Sequence, residues 1–274
     1  YLTFILFAYV VSAFSVKINW GEVLQNTVLP NFSFSKDLTI LVCAALGTTI
    51  SPYLFFWQSS QEVEEEILKG EKTVEMRRAN NTEQDMKNMR IDVWSGMFVS
   101  NLIMFFIIAA CAATLYANGI TNIATASDAA AALRPFAGDF AFTLFALGIL
   151  GTGLLAIPVL AGSASYAISE SFGWKTGLYR KLKQANAFYG VIIVAMVLGI
   201  ILNFIGLDPI KALIYSAVLN GLISPLMIFF IVRLSGSAEV MGDFKNKKIG
   251  NIMGWLPFVL ISLVGLGAII SIFI

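Results

Sequence analysis

Apolar residues dominate seven stretches of this chain, 1–16, 38–57, 95–116, 140–169, 185–207, 212–232 and 250–274, with polar residues gathered between them. Most of these stretches reach the roughly 20 residues that a helix needs to cross the hydrocarbon core of a bilayer. The pattern predicts an all-α polytopic membrane protein with about seven transmembrane helices, forming a single transmembrane domain over 1–274. The first stretch is short, residue 1 is Tyr, and neither a basic leader nor a small-residue cleavage site accompanies it. It therefore reads as a crossing entered part-way, with earlier crossings expected upstream.

The second stretch is interrupted near its middle. Gly47-Thr48-Thr49-Ile50-Ser51-Pro52 places a glycine, three hydroxyl side chains and a proline in one short run. Lipid offers no hydrogen bonds, so a crossing normally pairs every backbone group within its own helix. Pro52 lacks an N–H, and its ring disfavours helical geometry at Ser51. Such a break persists where it is buried in protein or lines a watery cavity, and there its freed carbonyls can hold an ion or substrate. A packing kink is the alternative; the transporter reading is adopted.

Composition sharpens this picture. The chain is 58% hydrophobic and 13% charged, with a mean hydropathy of +0.80. Soluble domains carry about 25% charged residues. The net charge of +1 does not point to nucleic acid, since the positive residues lie between the apolar stretches. Cys43 and Cys111 both fall in apolar segments, which argues against a disulfide framework or a zinc site. The chain has no histidine, hence neither an imidazole ligand nor the usual proton carrier near neutral pH.

Lys and Arg set the predicted orientation. Segments 58–92, 172–184 and 233–249 hold 14 of them and the intervening loops 4, alternating loop by loop. The positive-inside rule then makes 58–92 a cytoplasmic hydrophilic loop, runs the first crossing outward and the broken second inward, and ends the chain outside at Ile274. A seven-span receptor has the opposite orientation and is set aside. Within 58–92, the run Gln61-Glu62-Val63-Glu64-Glu65-Glu66 reads either as a cation-attracting vestibule or as a solvated helix end; mixed charge favours the second. The outer loop 17–36 contains Trp20, Pro30, Phe32 and an Asn31-Phe32-Ser33 sequon. Residues 127–135 predict a short outer helix with Ser127 as N-cap, Asp128 in its first turn and an end at Arg134-Pro135.

Polar residues inside the crossings are few. Span 140–169 is rich in Gly and Ser, which suits close helix packing; Thr152, Ser163 or Ser165 lining a path is the second reading. Ser216 and Asn220 stand four apart and share one helix face, where Asn220 either bonds to a neighbouring helix or faces a cavity. No Asp, Glu, Lys or Arg lies inside the seven stretches. Hydroxyls and carbonyls alone hold a dehydrated divalent ion at too high a cost, so a metal carrier would need a carboxylate from other spans.

With these features placed, the chain resembles the NRAMP family of divalent metal-ion transporters along essentially its whole length, from the end of the family's fifth span through the eleventh. The family's sixth span reads Gly-Ala-Thr-Val-Met-Pro-His, with a second histidine and a serine beyond; Gly47-Thr48-Thr49-Ile50-Ser51-Pro52-Tyr53 and Gln58-Ser59 stand there. Phe145-Ala146-Leu147-Gly148-Ile149-Leu150-Gly151-Thr152-Gly153-Leu154-Leu155-Ala156 resembles the eighth span. The resemblance implies a LeuT-type (APC-like) inverted-repeat fold, alternating access and a metal site at the break. Thr48, through its carbonyl, and Ser51 would be the metal ligands, Gly47 and Pro52 the makers of the break, and Tyr53, Gln58, Ser216 and Asn220 the permeation path.

The departures shift the expected chemistry. Ser51 stands where the family has a methionine, and a hydroxyl suits harder ions such as Mn²⁺ or Mg²⁺ better than a thioether does. Both histidines are replaced, by Tyr53 and Gln58, which do not titrate between pH 5 and 8, so proton coupling through this helix is in question. The family's first-span Asp-Pro-Gly-Asn motif belongs to a part of the fold upstream of this sequence, and for its tenth-span glutamine Ser216 or Asn220 are the nearest polar candidates. These features suit a divergent branch akin to the NRAMP-related magnesium transporters. The expectation is a secondary transporter of Mn²⁺, Fe²⁺ or Mg²⁺, with protons as a candidate coupling ion, no cofactor and no nucleic acid, in a cell membrane such as the bacterial inner membrane. The competing readings are a LeuT-type cation-coupled symporter of amino acids or another organic solute, an intramembrane enzyme, and a membrane scaffold. The enzyme reading fails for want of paired intramembrane aspartates or a Ser–His pair.

Overall fold

The computed structural model describes residues 2–29, 35–123 and 125–273, and every regular element among them is helical. A 3₁₀ turn at Leu2–Leu6 leads into α1 (Phe7–Ser15), followed by α2 (Trp20–Val28), α3 (Lys36–Thr49), α4 (Pro52–Leu68), α5 (Val74–Asn80) and α6 (Glu83–Thr114). Then come α7 (Ala126–Ser171), α8 (Asn186–Phe204), α9 (Pro209–Ser235), the short α10 (Ala238–Met241) and α11 (Lys248–Phe273). The sequon, Pro30, Phe32 and Ile274 lie outside the described residues.

Six helical segments among the described residues are long and apolar enough to cross a membrane: Lys36–Leu68, Glu83–Asn118, Gly138–Ser171, Asn186–Phe204, Pro209–Ser235 and Lys248–Ser271. The first apolar stretch does not reach that length alone. It makes a seventh crossing only when joined to α2 across a bend of 113°. Asn19 marks the bend, its side chain accepting the Glu22 N–H at 3.4 Å to start α2.

One element gains detail and one differs from the expectation. Segment 58–92 is mostly helix, because α4 runs on to Leu68 and α6 starts at Glu83. Its Gln, Glu, Lys and Leu residues are strong helix formers, and Thr82 with Asp85 closes a capping box at the start of α6. The outer helix begins before Ser127. Thr125 is its N-cap, accepting the Asp128 N–H at 3.1 Å while Asp128 takes the Thr125 N–H at 2.9 Å; the Ser127 hydroxyl pairs with that of Thr125. Arg134-Pro135 does not end it. The interruption comes at Gly138, whose φ of 77° is open to glycine and strained for other residues.

The chain divides into two compact units, 1–31 with 57–206 and 32–56 with 207–274. In the first, Tyr9, Ile103, Leu115, Ala130, Leu133 and Phe145 form a buried core, and the Tyr9 ring lies where a side chain on Gly148 would have to go. Thr152 and Ser165 act there as interhelical glue: Tyr9 Oη lies 3.4 Å from Thr152 Oγ1, and Ser165 donates to the Phe188 carbonyl at 2.5 Å. Ser163 is buried beside them.

In the second unit α3 packs along α9 through Ala44, Ala217 and Val218, and α9 packs on α11 through Ile228, Val232 and Ile261. Asp208 caps α9, accepting N–H groups of Ile210 at 3.0 Å and Lys211 at 3.2 Å. The Lys211 amide, then that of Ile210, holds the Asp208 carboxyl below the usual aspartate range. Its contribution is therefore present above the unfolded pKa near 3.9 and is lost as pH falls through the lowered folded value. Melting in detergent from pH 6 down to pH 3 should show that loss in the wild type and a flatter profile in Asp208→Asn.

Candidate functional site

The broken crossing is built from backbone outward. Helix α3 ends at Thr49, Ile50 leaves helical geometry at φ −112° and ψ 69°, and α4 restarts at Pro52, where a missing N–H costs nothing. Two carbonyls consequently lose their ordinary partners. That of Thr48 would have bonded to residue 52, which is proline. That of Ile50 would have taken the Leu54 N–H, which donates instead to the Ser51 carbonyl at 3.0 Å.

Hydroxyls fill these places. Ser51, wholly buried, shares its proton between the carbonyls of Gly47 at 2.9 Å and Thr48 at 2.7 Å. Ser224 of α9, also wholly buried, reaches the Ile50 carbonyl at 2.6 Å. Thr48 and Thr49 turn their hydroxyls back to the Ala45 carbonyl, at 2.8 and 2.9 Å. Thus the oxygens at the break are main-chain carbonyls and serine hydroxyls, a hard ligand set.

Two glycines bring α9 against the break. A Cβ on Gly47 would lie 2.2 Å from the Ala217 carbonyl oxygen and 2.3 Å from the Gly221 nitrogen; one on Gly221 would lie 2.4 Å from the Cys43 carbonyl oxygen. Gly47 is itself helical, so in this structure it permits backbone contact one turn before the break.

Of the residues expected to line a path, Tyr53 and Asn220 are half-buried and Ser216 is exposed, its hydroxyl bonded back to the Leu213 carbonyl at 2.9 Å. Gln58 is half-buried in the other unit and donates to Glu62 at 2.9 Å. Gly47, Thr48, Ser51, Ser216 and Asn220 all lie in the second unit, on α3, the break and α9. Among the described residues no three His, Cys, Asp or Glu side chains meet in a metal-binding group.

A second polar centre occupies the first unit. The buried Glu64 carboxylate accepts the Tyr166 O–H, the Leu178 N–H at 2.8 Å and the Tyr179 N–H at 3.1 Å. Gln61 donates to the Tyr166 oxygen at 3.1 Å. Beside this network lies a cavity of about 390 Å³, lined also by Ser60, Glu170, Lys175 and Arg180. Glu64 thus fastens the inner half of the broken crossing to the turn after α7.

Neither Ser224 nor Glu64 stands out in the sequence. Ser224 carried one signal, its place one turn after Asn220 and just before Pro225. Glu64 carried none, sitting in a run of like residues.

Repeated apolar helices, one of them interrupted between Thr49 and Pro52, define a polytopic α-helical membrane protein. Residues 1–271 match the profile of the family described as natural resistance-associated macrophage protein-like, and the chain belongs to that family of membrane transporters, whose fold is LeuT-like. Its relatives include the "Divalent metal cation transporter MntH" of Caldanaerobacter subterraneus subsp. tengcongensis, 27% identical over 251 residues, covering 91% of this chain and 54% of that protein. Proteins of the same name are similar in Clostridium acetobutylicum, at 23% identity with 94% and 56% covered, and in Yersinia enterocolitica, at 24% identity with 97% and 59% covered. The chain therefore spans less than three fifths of the length of these relatives.

Proposed function

We propose that this chain forms part of a secondary transporter that moves a divalent metal cation by alternating access, with the cargo meeting the protein at the break between Thr49 and Pro52. The observation that carries this reading is the pair of carbonyls released there, those of Thr48 and Ile50, each accepting a serine hydroxyl. A hydroxyl proton yields to a cation without any bond being broken in the helices on either side. The Thr48 carbonyl and the Ser51 oxygen are the proposed ligands, and the Ser51 proton leaves the Thr48 carbonyl as the ion arrives. Relatives named as divalent metal cation transporters support the cargo class.

Hard oxygen donors favour Mg²⁺ or Mn²⁺ over softer ions. Charge in the extramembrane segments orients the Glu64 end toward the cytoplasm. Uptake of Mn²⁺ into proteoliposomes, with Mg²⁺, Fe²⁺, Cd²⁺ and amino acids as competitors, tests the reading. Competition by Mg²⁺ supports it, and uptake of an amino acid without metal removes it. Ser51→Met is expected to shift preference toward Cd²⁺ or Fe²⁺ relative to Mg²⁺, and unchanged selectivity would take Ser51 out of the ligand set.

A further inference from the structure

Ser224 stands apart from every residue assigned above, because it serves the break from another helix. Its hydroxyl lies 2.6 Å from the Ile50 carbonyl, 174 residues away in sequence, and 2.6 Å from the Asn220 carbonyl of its own helix. The Asn220 contact is the ordinary back-bond of a helical serine. The Ile50 contact is different in kind, since it joins two helices across the break and the Leu54 N–H, the usual helical donor to that carbonyl, goes to Ser51.

We infer that Ser224 is a positioning residue for cargo binding, holding the Ile50 carbonyl aside so that the Thr48 carbonyl and the Ser51 oxygen face the ion. This deepens the proposed transport reading and rests on it. Without the Ser224 hydroxyl, the Ile50 carbonyl loses the donor that reaches it from α9. Ile50 and Ser51 then relax toward helical geometry, with the Leu54 N–H, now on the Ser51 carbonyl at 3.0 Å, as a competing donor. Pro52 prevents the helix from closing fully, so the break survives in a different shape. The Thr48 carbonyl and the Ser51 hydroxyl then point elsewhere. Ser224 itself touches no ion, and its effect is on affinity and not on the rate at saturation.

The test uses the intact transporter in proteoliposomes with Mn²⁺ and Mg²⁺ as probes. Ser224→Ala is expected to raise the apparent KM for both ions about tenfold, the change that one net hydrogen bond is worth, with Vmax within a factor of two. Ser224→Cys, similar in size and a weaker donor, should fall between wild type and alanine. A purely packing role would not grade with donor strength. Independently, the infrared band of an isotope-labelled Ile50 carbonyl should move to higher frequency in Ser224→Cys, and this variant also carries the test should Ser224→Ala fail to assemble. An unchanged KM in Ser224→Ala, or a stationary Ile50 band, overturns the inference. Wild-type vesicles that take up neither ion would instead remove the transport reading, leaving the Ile50 band to decide the role of Ser224.

Discussion

Gly47→Ala should unfold or inactivate the protein more severely than any other single methyl added to α3. The new Cβ would sit 2.2 Å from the Ala217 oxygen and 2.3 Å from the Gly221 nitrogen, where 3.4 Å is ordinary contact. Both atoms are backbone, so no side chain can swing away. The helices must part by more than 1 Å, about 3 kcal/mol on the scale of overpacked cores. Parting them also pulls Ser224 away from the Ile50 carbonyl, so uptake should suffer even in protein that still folds. Thermal unfolding in detergent, followed by tryptophan fluorescence, should show a lower midpoint. Gly153→Ala is the control: it is a helical glycine on α7 with nothing within 4 Å of the added carbon, and its midpoint should stay at or above the wild-type value.

The second large effect is expected at Glu64. Alanine there leaves the Tyr166 hydroxyl and the Leu178 and Tyr179 amides without their carboxylate, and a buried donor deprived of its partner costs about 1–3 kcal/mol. Leu178 keeps a weaker contact to the Tyr166 oxygen at 3.3 Å, and water from the adjoining cavity can reach part of the network. A total of about 3 kcal/mol follows. Glu64→Gln should lose roughly half as much, since its amide NH₂ must face one of the donors. Hydrogen exchange at Leu178 and Tyr179 reads this directly. Both amides should exchange faster in either variant while the core around Tyr9 and Phe145 stays protected. Equal exchange in wild type and Glu64→Ala would show that the carboxylate does not fasten the turn.

The comparison of pattern and structure is instructive at particular residues. The break is local chemistry: a proline without an N–H, next to serine and threonines, opens a helix wherever it is placed. Its position between Thr49 and Pro52 could therefore be read directly. The outer helix was legible except for its cap, because Thr125 with Asp128 and Ser127 alone are both plausible starts and only the reciprocal bond decides. The helical character of 58–92 was masked by polarity, since charge speaks to solvent exposure and not to backbone state.

The site divides the same way. Thr48 and Ser51, the proposed ligands, announce themselves by lying in the Gly47-to-Pro52 run. Ser224 does not, because its partner is 174 residues away and no spacing rule links the two. The four glutamates at 62 and 64–66 look alike in sequence; only the placement of Tyr166 and the turn at 178–179 makes Glu64 the buried one. Gly221 likewise reads as one small residue among many until α3 is laid against it.

What the chain alone determined was its membrane character, its helical class, the place of the opened crossing and the family to which it belongs. These follow from transfer free energy, local backbone geometry and short motifs, all of which act over neighbouring residues. Which hydroxyl holds which released carbonyl, which glycines must stay bare and which glutamate is fastened were decided by the tertiary structure. Each depends on a contact between distant segments, and a buried polar group takes its partner from whatever the packing brings within reach.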